Sequence, residues 1–527
     1  MTVPVVSVSA AARDTRSYKY FFFFLHHAWT ADKYSSLLLF PFAFRSLLLF
    51  PFAFRDYVVA CTEVGLGCSS FSTFFWTEDE LAGEIQNNND NDNKTNQEEP
   101  ATITTTTTTT ITAETLTRDH PKVQEWIETI HYAIQQCGIT LLDTAPWYGH
   151  GTSEIVVGWA LEELLLLRSS DGANTDVIND KINDKVDDRV KTTIIAREDL
   201  CINTKIGRYE ADPTLQFDFS REATLESAKR SLRRLSSRCR YIDVLQLHDP
   251  EFSPTLDILL NETIPAMVEC RANGWCKALG LTGYPLEVQY QILQHSLERY
   301  GREEAVRIWD QSLTYGHFNL HDSSLVHRRV NSSCESFAEC CHQNGMGLLA
   351  AAPLSMGLLT SSNNNNTLPD WHPANGSELA RACREAAEIC RRLDVDIATL
   401  ALLYSMSHPG VPCTILGMKN VEQVKHAATV ARRFAMVDWT IPELTQDLVL
   451  SFVLTVPESE AYRILRDRET GPFATVWKRE TADDYDGDNG VFAPKFQWDG
   501  IREAHEFWRN NTETITSFED WQDKSFR

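Results

Sequence analysis

Eight short apolar or β-branched runs, each separated from the next by enough chain for a helix, predict an α/β protein. Its core would be a (β/α)8 TIM barrel spanning about Val64 to Val437. Two further observations support that class. Consecutive runs begin 31 to 74 residues apart, too far for hairpins but far enough for a crossover helix each. The rival architecture, an open doubly wound sheet, lacks its dinucleotide loop: Gly65-Leu66-Gly67 continues into Cys68-Ser69-Ser70, with no third glycine.

In chain order the runs begin near Val64 (VGLGCSS), Gly138 (GITLLDTA), Leu200 (LCINTK), Tyr241 (YIDVLQLH), Cys276 (CKALGLTG), Arg307 (RIWDQSLTY), Gly347 (GLLAAAPL) and Cys413 (CTILGM). The two long early intervals contain low-complexity chain. Residues 87–99 are almost all Asn, Asp, Gln and Glu, Thr104 to Thr110 is an unbroken Thr run, and Ile178 to Lys185 reads INDKINDK. Such segments cannot bury apolar surface, so disordered insertions are expected at about 85–118 and 169–190. The SSNNNN at 361–366 reads as a third loop. Between strands the helical period is visible. Val156, Trp159, Ala160, Leu164 and Leu167 form one stripe behind Ser153 as N-cap. Leu225, Ala228, Leu232 and Leu235 form another behind Ser220, with Lys229, Arg230, Arg233 and Arg234 on the solvated faces.

Residues 1–63 read as a poorly ordered N-terminal extension. It repeats SLLLFPFAFR at 36–45 and 46–55, and YFFFFL runs from Tyr20 to Leu25. Pro41, Arg45 and Pro51 keep every apolar run short of the ~18–20 residues that span a bilayer, so no integral membrane segment is expected. Arg13, Arg16 and Lys19 precede the Phe run as in a signal peptide, but His26 and His27 end it early and no small-residue cleavage site follows. A cytoplasmic location is expected, with organelle targeting through the extension as the alternative. Residues 438–527 carry Trp439, Trp477, Trp498, Trp508 and Trp521, too aromatic for a wholly disordered tail, and Ile501, Ala504 and Trp508 fit one helical face. This C-terminal extension should be partly ordered. The chain's 43% hydrophobic and 23% charged residues are ordinary for a globular protein. Seventy-three acidic against 49 basic residues leave a net charge of -24, which excludes general nucleic-acid binding: no excess cation is present to replace phosphate counterions. The 13 cysteines contain no C-x-x-C, so they read as reduced thiols, with no metal site and no disulfide framework.

In a barrel, catalytic groups stand at the C-terminal ends of strands. Asp143 ends the second predicted strand and Tyr148 follows in its loop; Lys205 ends the third, and His248 the fourth. Singly, each has an ordinary reading as a turn cap, packed aromatic, surface charge or core histidine. Four at successive strand ends form a coherent device. A tyrosine ordinarily titrates near 10, and an adjacent ammonium stabilises its phenolate. Asp143 would keep Lys205 charged, and His248 would hydrogen-bond a substrate oxygen. Such a set suits proton transfer at a carbonyl or alcohol oxygen, and the accompanying hydride requires a nicotinamide cofactor.

DTAPWYG (Asp143–Gly149) with Ser153-Glu154, NTKIGRY (Asn203–Tyr209) and YIDVLQLHD (Tyr241–Asp249) resemble the signatures of the aldo-keto reductases. FDFS (Phe217–Ser220), HDPEF (His248–Phe252), NETIPA (Asn261–Ala266), LTGYPL (Leu281–Leu286), APLSMGLLT (Ala352–Thr360), PDWHPA (Pro369–Ala374) and LGMKNVEQV (Leu416–Val424) resemble the branch of L-galactose and D-arabinose 1-dehydrogenases. The resemblance covers about Val64 to Val437. It implies Tyr148 as proton donor and acceptor, Lys205 and Asp143 tuning it, and His248 orienting substrate. It implies NAD-linked oxidation of an aldose at C1 to its lactone, as in ascorbate synthesis or its fungal analogue, with NADP not excluded. Thr282 and Gly283 stand where many relatives hold the carboxamide with Ser-Asn, and Tyr315 would lie against the nicotinamide. Leu354, Ser355 and Gly357 would offer backbone groups to the pyrophosphate, and Gly417, Lys419 and Gln423 would meet the adenosine end, where Ala427 replaces a common Asn. Trp147, Asp249 and Trp371 are candidate sugar contacts. Two alternatives remain open: a broad NADPH-dependent carbonyl reductase, and a non-catalytic interaction protein like the potassium-channel β-subunits, which share this signature.

Overall fold

The computed structural model describes residues 50–54, 57–61, 64–71, 116–165, 195–210, 216–301, 308–327, 336–361, 374, 377–474 and 476. Each of the eight predicted runs contributes a strand. These are β1 (Val64–Gly67), β2 (Leu141–Asp143), β3 (Cys201–Ile206), β4 (Ile242–His248), β5 (Cys276–Gly283), β6 (Gln311–Tyr315), β7 (Gly347–Ala351) and β8 (Cys413–Gly417). Each pairs in parallel with the next, and β8 returns to β1 with Gly417 opposite Gly67, closing the barrel. Alternate strand positions point inward: Leu141, Cys201, Val244, Ala278, Leu313, Leu349 and Cys413 pack along the axis. A polar layer lies beside them, where Asn203 and Gln246 both donate to Oε1 of Gln311, at 3.0 and 2.7 Å. Gly280 leaves the room for it, since a Cβ there would come within 3.0 Å of the Gln246 side chain.

The crossover helices are α1 (Pro121–Cys137), α2 (Thr152–Leu165), α3 (Arg221–Arg234), α4 (Ile264–Ala272), α5 (Leu286–Tyr300), α6 (Phe337–Gln343), α7 (Glu378–Arg392) and α8 (Ile397–Ser405), with α9 (Val421–Ala431) following β8. α1 has Pro121 at its first position and ends at Gly138, which adopts the left-handed conformation (φ 68°). Ser220 caps α3 as expected, accepting from Ala223 N–H. Two helix readings change. Ser153 lies inside α2 rather than capping it; its hydroxyl donates to Cys68 O at 2.8 Å and meets Thr144 Oγ1, lashing the loop after β2 to the turn after β1. The face α3 buries is mainly small and hydroxylated (Thr224, Ser227, Ala228, Ser231), and Arg234 is not merely solvated, since it pairs with the buried Glu154 at 3.1 Å. Leu167 lies outside the described residues.

Both extensions contain regular elements. Within residues 1–63, Phe50–Phe54 and Tyr57–Cys61 pair as an antiparallel hairpin, with Phe54 opposite Tyr57; aromatic and β-branched residues favour extended chain. The first insertion was expected to reach residue 118, yet Leu116 is buried and Arg118 pairs with Glu162 and Glu163 of α2. Beyond Val437, α10 (Gln446–Val453) and α11 (Val456–Leu465) are anchored to the barrel. Glu458 pairs with Arg433, Gln446 donates to Tyr404 O, and Arg466 donates to Leu320 O. Trp477, Trp498, Trp508 and Trp521, with the Ile501–Ala504 face, lie outside the described residues. No helix among the described residues is long and apolar enough to cross a membrane.

Gly158 of α2 faces α3 so tightly that a Cβ would stand 2.1 Å from Arg234 O. Gly→Ala in a helix normally stabilises by roughly 1 kcal/mol. Here Gly158→Ala should instead destabilise by about 1–3 kcal/mol, the range for overpacking, seen as a lower urea midpoint at unchanged slope.

Candidate active site

Four of the predicted side chains meet at one rim of the barrel. Parallel pairing aligns the ends of β2, β3 and β4, which brings Asp143, Lys205 and His248 to the same rim. Lys205 is 1% exposed, and its ammonium donates to Asp143 Oδ2 at 2.7 Å and to Thr144 O at 2.9 Å. It also stands 4.7 Å from the centre of the Tyr148 ring. The Tyr148 and His248 rings meet edge to face, their centres 6.3 Å apart. Tyr148 reaches this place because its N–H donates to Ala145 O, turning the chain back toward the strand ends.

The electrostatics correct one expectation. Burial pushes the Tyr148 phenol up to about 12; Lys205 pulls it down, but Asp143 and Asp249 add to the rise. The ammonium therefore moderates the cost of burial rather than making an acidic phenol, and Tyr148 rests protonated. Lys205 is opposed by burial but held above its usual range by Asp143 and Tyr148, so it stays charged. Burial raises Asp143 against the pull of Lys205. Burial drives His248 down to about 3, so at neutral pH it is an uncharged imidazole, a hydrogen-bonding group and not a proton source. The phenol is left as the group that can transfer the proton.

One wall of the site was only partly foreseen. Arg208, two residues beyond β3, stacks 3.9 Å over the Trp147 ring and donates to Asp249 Oδ2 at 2.8 Å. Oδ1 of Asp249 lies 3.6 Å from His248 Nε2. Trp147 and Asp249, the candidate sugar contacts, are thus joined through a residue that the strand-end search passed over, because Arg208 sits in the loop. Glu251 was missed too. It is 2% exposed, Oε1 accepts from Tyr284 N–H at 3.1 Å, and a Cβ on Gly283 would lie 2.6 Å from Oε2. Its one sequence signal was a carboxylate inside HDPEF. Burial and then Asp249 raise Glu251 to about 8.

The cofactor candidates lie along the ends of β5 to β8. Thr282 is buried opposite His248, and its carbonyl accepts from Asp249 N–H. Gly283 provides the space that Glu251 fills. Tyr315 ends β6, and its phenol is raised by burial and further by Tyr148 and Asp249. The N–H groups of Ser355 and Gly357 donate to Ala352 O and Leu354 O, and Ser355 Oγ contacts His321 Nε2 at 2.6 Å. That loop therefore uses within itself two of the donors expected for a pyrophosphate. Gln423 Oε1 accepts from Lys419 N–H at 2.7 Å, closing the turn into α9. Gly417 is exposed, where a Cβ would make only ordinary contact with Gly67 O at 3.9 Å and Ser69 Oγ at 4.0 Å, and Lys419 lies exposed beside the α9 N-terminus. A strand end open at Gly417, a lysine and a helix start fit the anionic half of a dinucleotide. Trp371 lies outside the described residues. No cluster of three metal-ligating side chains occurs among the described residues.

A closed eight-stranded barrel carrying this rim defines a class, and the chain belongs to the aldo/keto reductase family, whose sequence model matches residues 112–445. It is an NAD(P)-dependent oxidoreductase of that family with a small-molecule substrate. It is 31% identical to an L-galactose dehydrogenase of Arabidopsis thaliana over 310 residues, which cover 58% of this chain and 79% of that one. It is 28% identical to a D-arabinose 1-dehydrogenase of Saccharomyces cerevisiae, over 59% of this chain and 77% of that one. An NADH-specific methylglyoxal reductase of Escherichia coli is 25% identical over 57% of this chain and 80% of that one. Among solved structures, a glycerol dehydrogenase of Gluconobacter oxydans aligns with a TM-score of 0.45 at 19% identity, over 79% of this chain and 94% of that one.

Removing one partner of a buried pair leaves an uncompensated charge, so Lys205→Met should cost about 3–5 kcal/mol by urea unfolding, and Asp143→Asn with Lys205→Met should recover much of that loss. The folded state holds the Glu251 proton up to about 8, whereas an unfolded carboxyl releases it near ~4.3. The associated stability is complete at low pH and is lost as pH rises through the folded value. Glu251→Gln, permanently neutral, should gain stability relative to wild type as unfolding is measured from pH 5 to pH 8.

Proposed function

We propose that this protein oxidises an aldose of the L-galactose or D-arabinose type at C1 to its lactone, with NAD as the preferred cofactor. The observation that carries this reading is the convergence of Tyr148, Lys205, Asp143 and His248 on one rim, in a chain most of whose barrel aligns with an L-galactose dehydrogenase and a D-arabinose 1-dehydrogenase. A nicotinamide dinucleotide held at the ends of β5 to β8 would supply the hydride-accepting chemistry. The chain's own residues handle the proton. Tyr148 takes it from the C1 hydroxyl as that oxygen becomes the lactone carbonyl, and Lys205 steadies the phenolate that must form first. Neutral His248 holds the same oxygen by a hydrogen bond. Trp147 and Asp249, joined through Arg208, are the proposed sugar contacts, and Asp249 can accept from sugar hydroxyls.

One observation favours a second reading. A phenol that rests protonated near 12 is already a proton donor, which suits reduction of a small carbonyl, with either NADPH or NADH as the hydride source. The two readings predict opposite pH trends: oxidation should quicken as pH rises, because it needs phenolate, and reduction should not.

Purified protein offered NAD and NADP with a panel of aldoses, and NADH and NADPH with small carbonyls, separates them. Fastest turnover with NAD and L-galactose or D-arabinose, rising with pH, is expected. Turnover confined to NADPH and carbonyls would overturn the dehydrogenase reading. Tyr148→Phe should lower kcat by about 100-fold or more while leaving the NADH dissociation constant unchanged, since the hydroxyl serves proton transfer.

A further inference from the structure

The rim carries two polar atoms that the protein leaves unspent, one on His248 and one on Asp249. Nδ1 of His248 is buried without a partner, so the imidazole meets a substrate through Nε2. Oδ1 of Asp249 lies 3.6 Å from that nitrogen, beyond hydrogen-bond length, and both atoms are left to bond something else. The other carboxylate oxygen is engaged. Oδ2 accepts from Arg208 at 2.8 Å, and the guanidinium is stacked 3.9 Å over Trp147. Arg208 thereby fixes which oxygen turns to His248. The backbone holds the same pose. Asp249 takes a left-handed φ of 48°, uncommon outside glycine, while its N–H donates to Thr282 O at 2.8 Å. A conformation of that kind persists only where the surroundings over-determine it. With 15% of its side chain exposed, Asp249 is largely dry yet open to a ligand.

Oxygens on neighbouring carbons of a substrate are spaced closely enough for one to bond Nε2 and the other Oδ1. We propose that Asp249 is the specificity residue for the hydroxyl next to the reacting carbon: His248 holds the oxygen at C1, and Asp249 accepts from the hydroxyl at C2. The substrate class is then an α-hydroxy compound, an aldose in the oxidising direction or an α-hydroxyaldehyde in the reducing one. This inference rests on His248 holding the reacting oxygen, as in the function proposed above. A charged acceptor suits the task. An analogue that lacks the C2 hydroxyl leaves Oδ1 unpaired beneath the bound substrate, and a site built to bond a hydroxyl rejects such an analogue strongly.

The test is a cycle of two changes in the full-length protein at saturating cofactor: wild type and Asp249→Asn, each with the fastest aldose and with its 2-deoxy analogue. Wild type should lose about 10- to 100-fold in kcat/KM when the hydroxyl is removed, the range for a hydrogen bond to a charged group. Asp249→Asn should lose a similar factor with the parent sugar, because Arg208 keeps the amide oxygen and the amide NH2 replaces the free acceptor. With the 2-deoxy sugar the variant should match wild type within about twofold, having no such bond to lose. Asp249→Gly, which suits the left-handed backbone and removes the whole side chain, should behave alike, so a folding defect in the amide variant does not decide the outcome. Both variants should bind NADH as wild type does. Equal losses with the two sugars would make Asp249 merely structural and overturn the inference. So would a wild type indifferent to removal of the C2 hydroxyl. If no aldose is turned over, the dehydrogenase reading fails by itself, and the same cycle with glycolaldehyde and acetaldehyde under NADPH decides this inference by the same rule. No turnover of either kind would overturn both.

Discussion

The structure turns on one buried ion pair. Lys205 and Asp143 stand at the ends of neighbouring strands, almost wholly removed from water, with their charged atoms 2.7 Å apart. Desolvating two charges is costly, and the cost is offset only when geometry is close and the remaining donors are satisfied. Thr144 O accepts a second hydrogen bond from the ammonium, and the Tyr148 ring lies beneath it. Holding the loop after β2 in that position is in turn the task of Ser153 and Glu154. Ser153 bonds Cys68 O of the turn after β1, while Glu154 bonds Thr204 of β3 and pairs with Arg234 of α3. The motif's serine and glutamate thus do structural work on behalf of its tyrosine.

Around that pair the site divides its duties by desolvation. Burial keeps His248 neutral and Tyr148 protonated, so the imidazole can orient an oxygen and the phenol alone can exchange its proton. The outer edge of the site is less dry than its centre. Asp249 and Arg208 stand at that edge, less buried than the central pair, where water and substrate can still alter their field.

Much of this was legible in the sequence. The spacing of apolar runs fixed the number and order of strands, since a parallel barrel needs a helix-length crossover between each pair. Strand ends identified Asp143, Lys205 and His248, because side chains there must face the open rim. Local rules failed where partners came from afar. Ser153 looked like a cap but reaches 85 residues back to Cys68. The basic face of α3 looked solvated, yet Arg234 answers a buried glutamate on another helix. Arg118 looked like the end of a disordered insertion and instead pairs with α2.

The sequence by itself determined the barrel, its family and the identity of the reactive quartet, because periodicity and strand-end position are local properties of the chain. Only the tertiary structure decided the protonation of that quartet and the company it keeps. Proton affinity depends on how much water is excluded and which charges lie within a few ångströms, and those are set by strands closing into a ring. Hence the sequence could name Tyr148 but misjudged its acidity, and it could quote Arg208 within a motif without revealing that it joins Trp147 to Asp249.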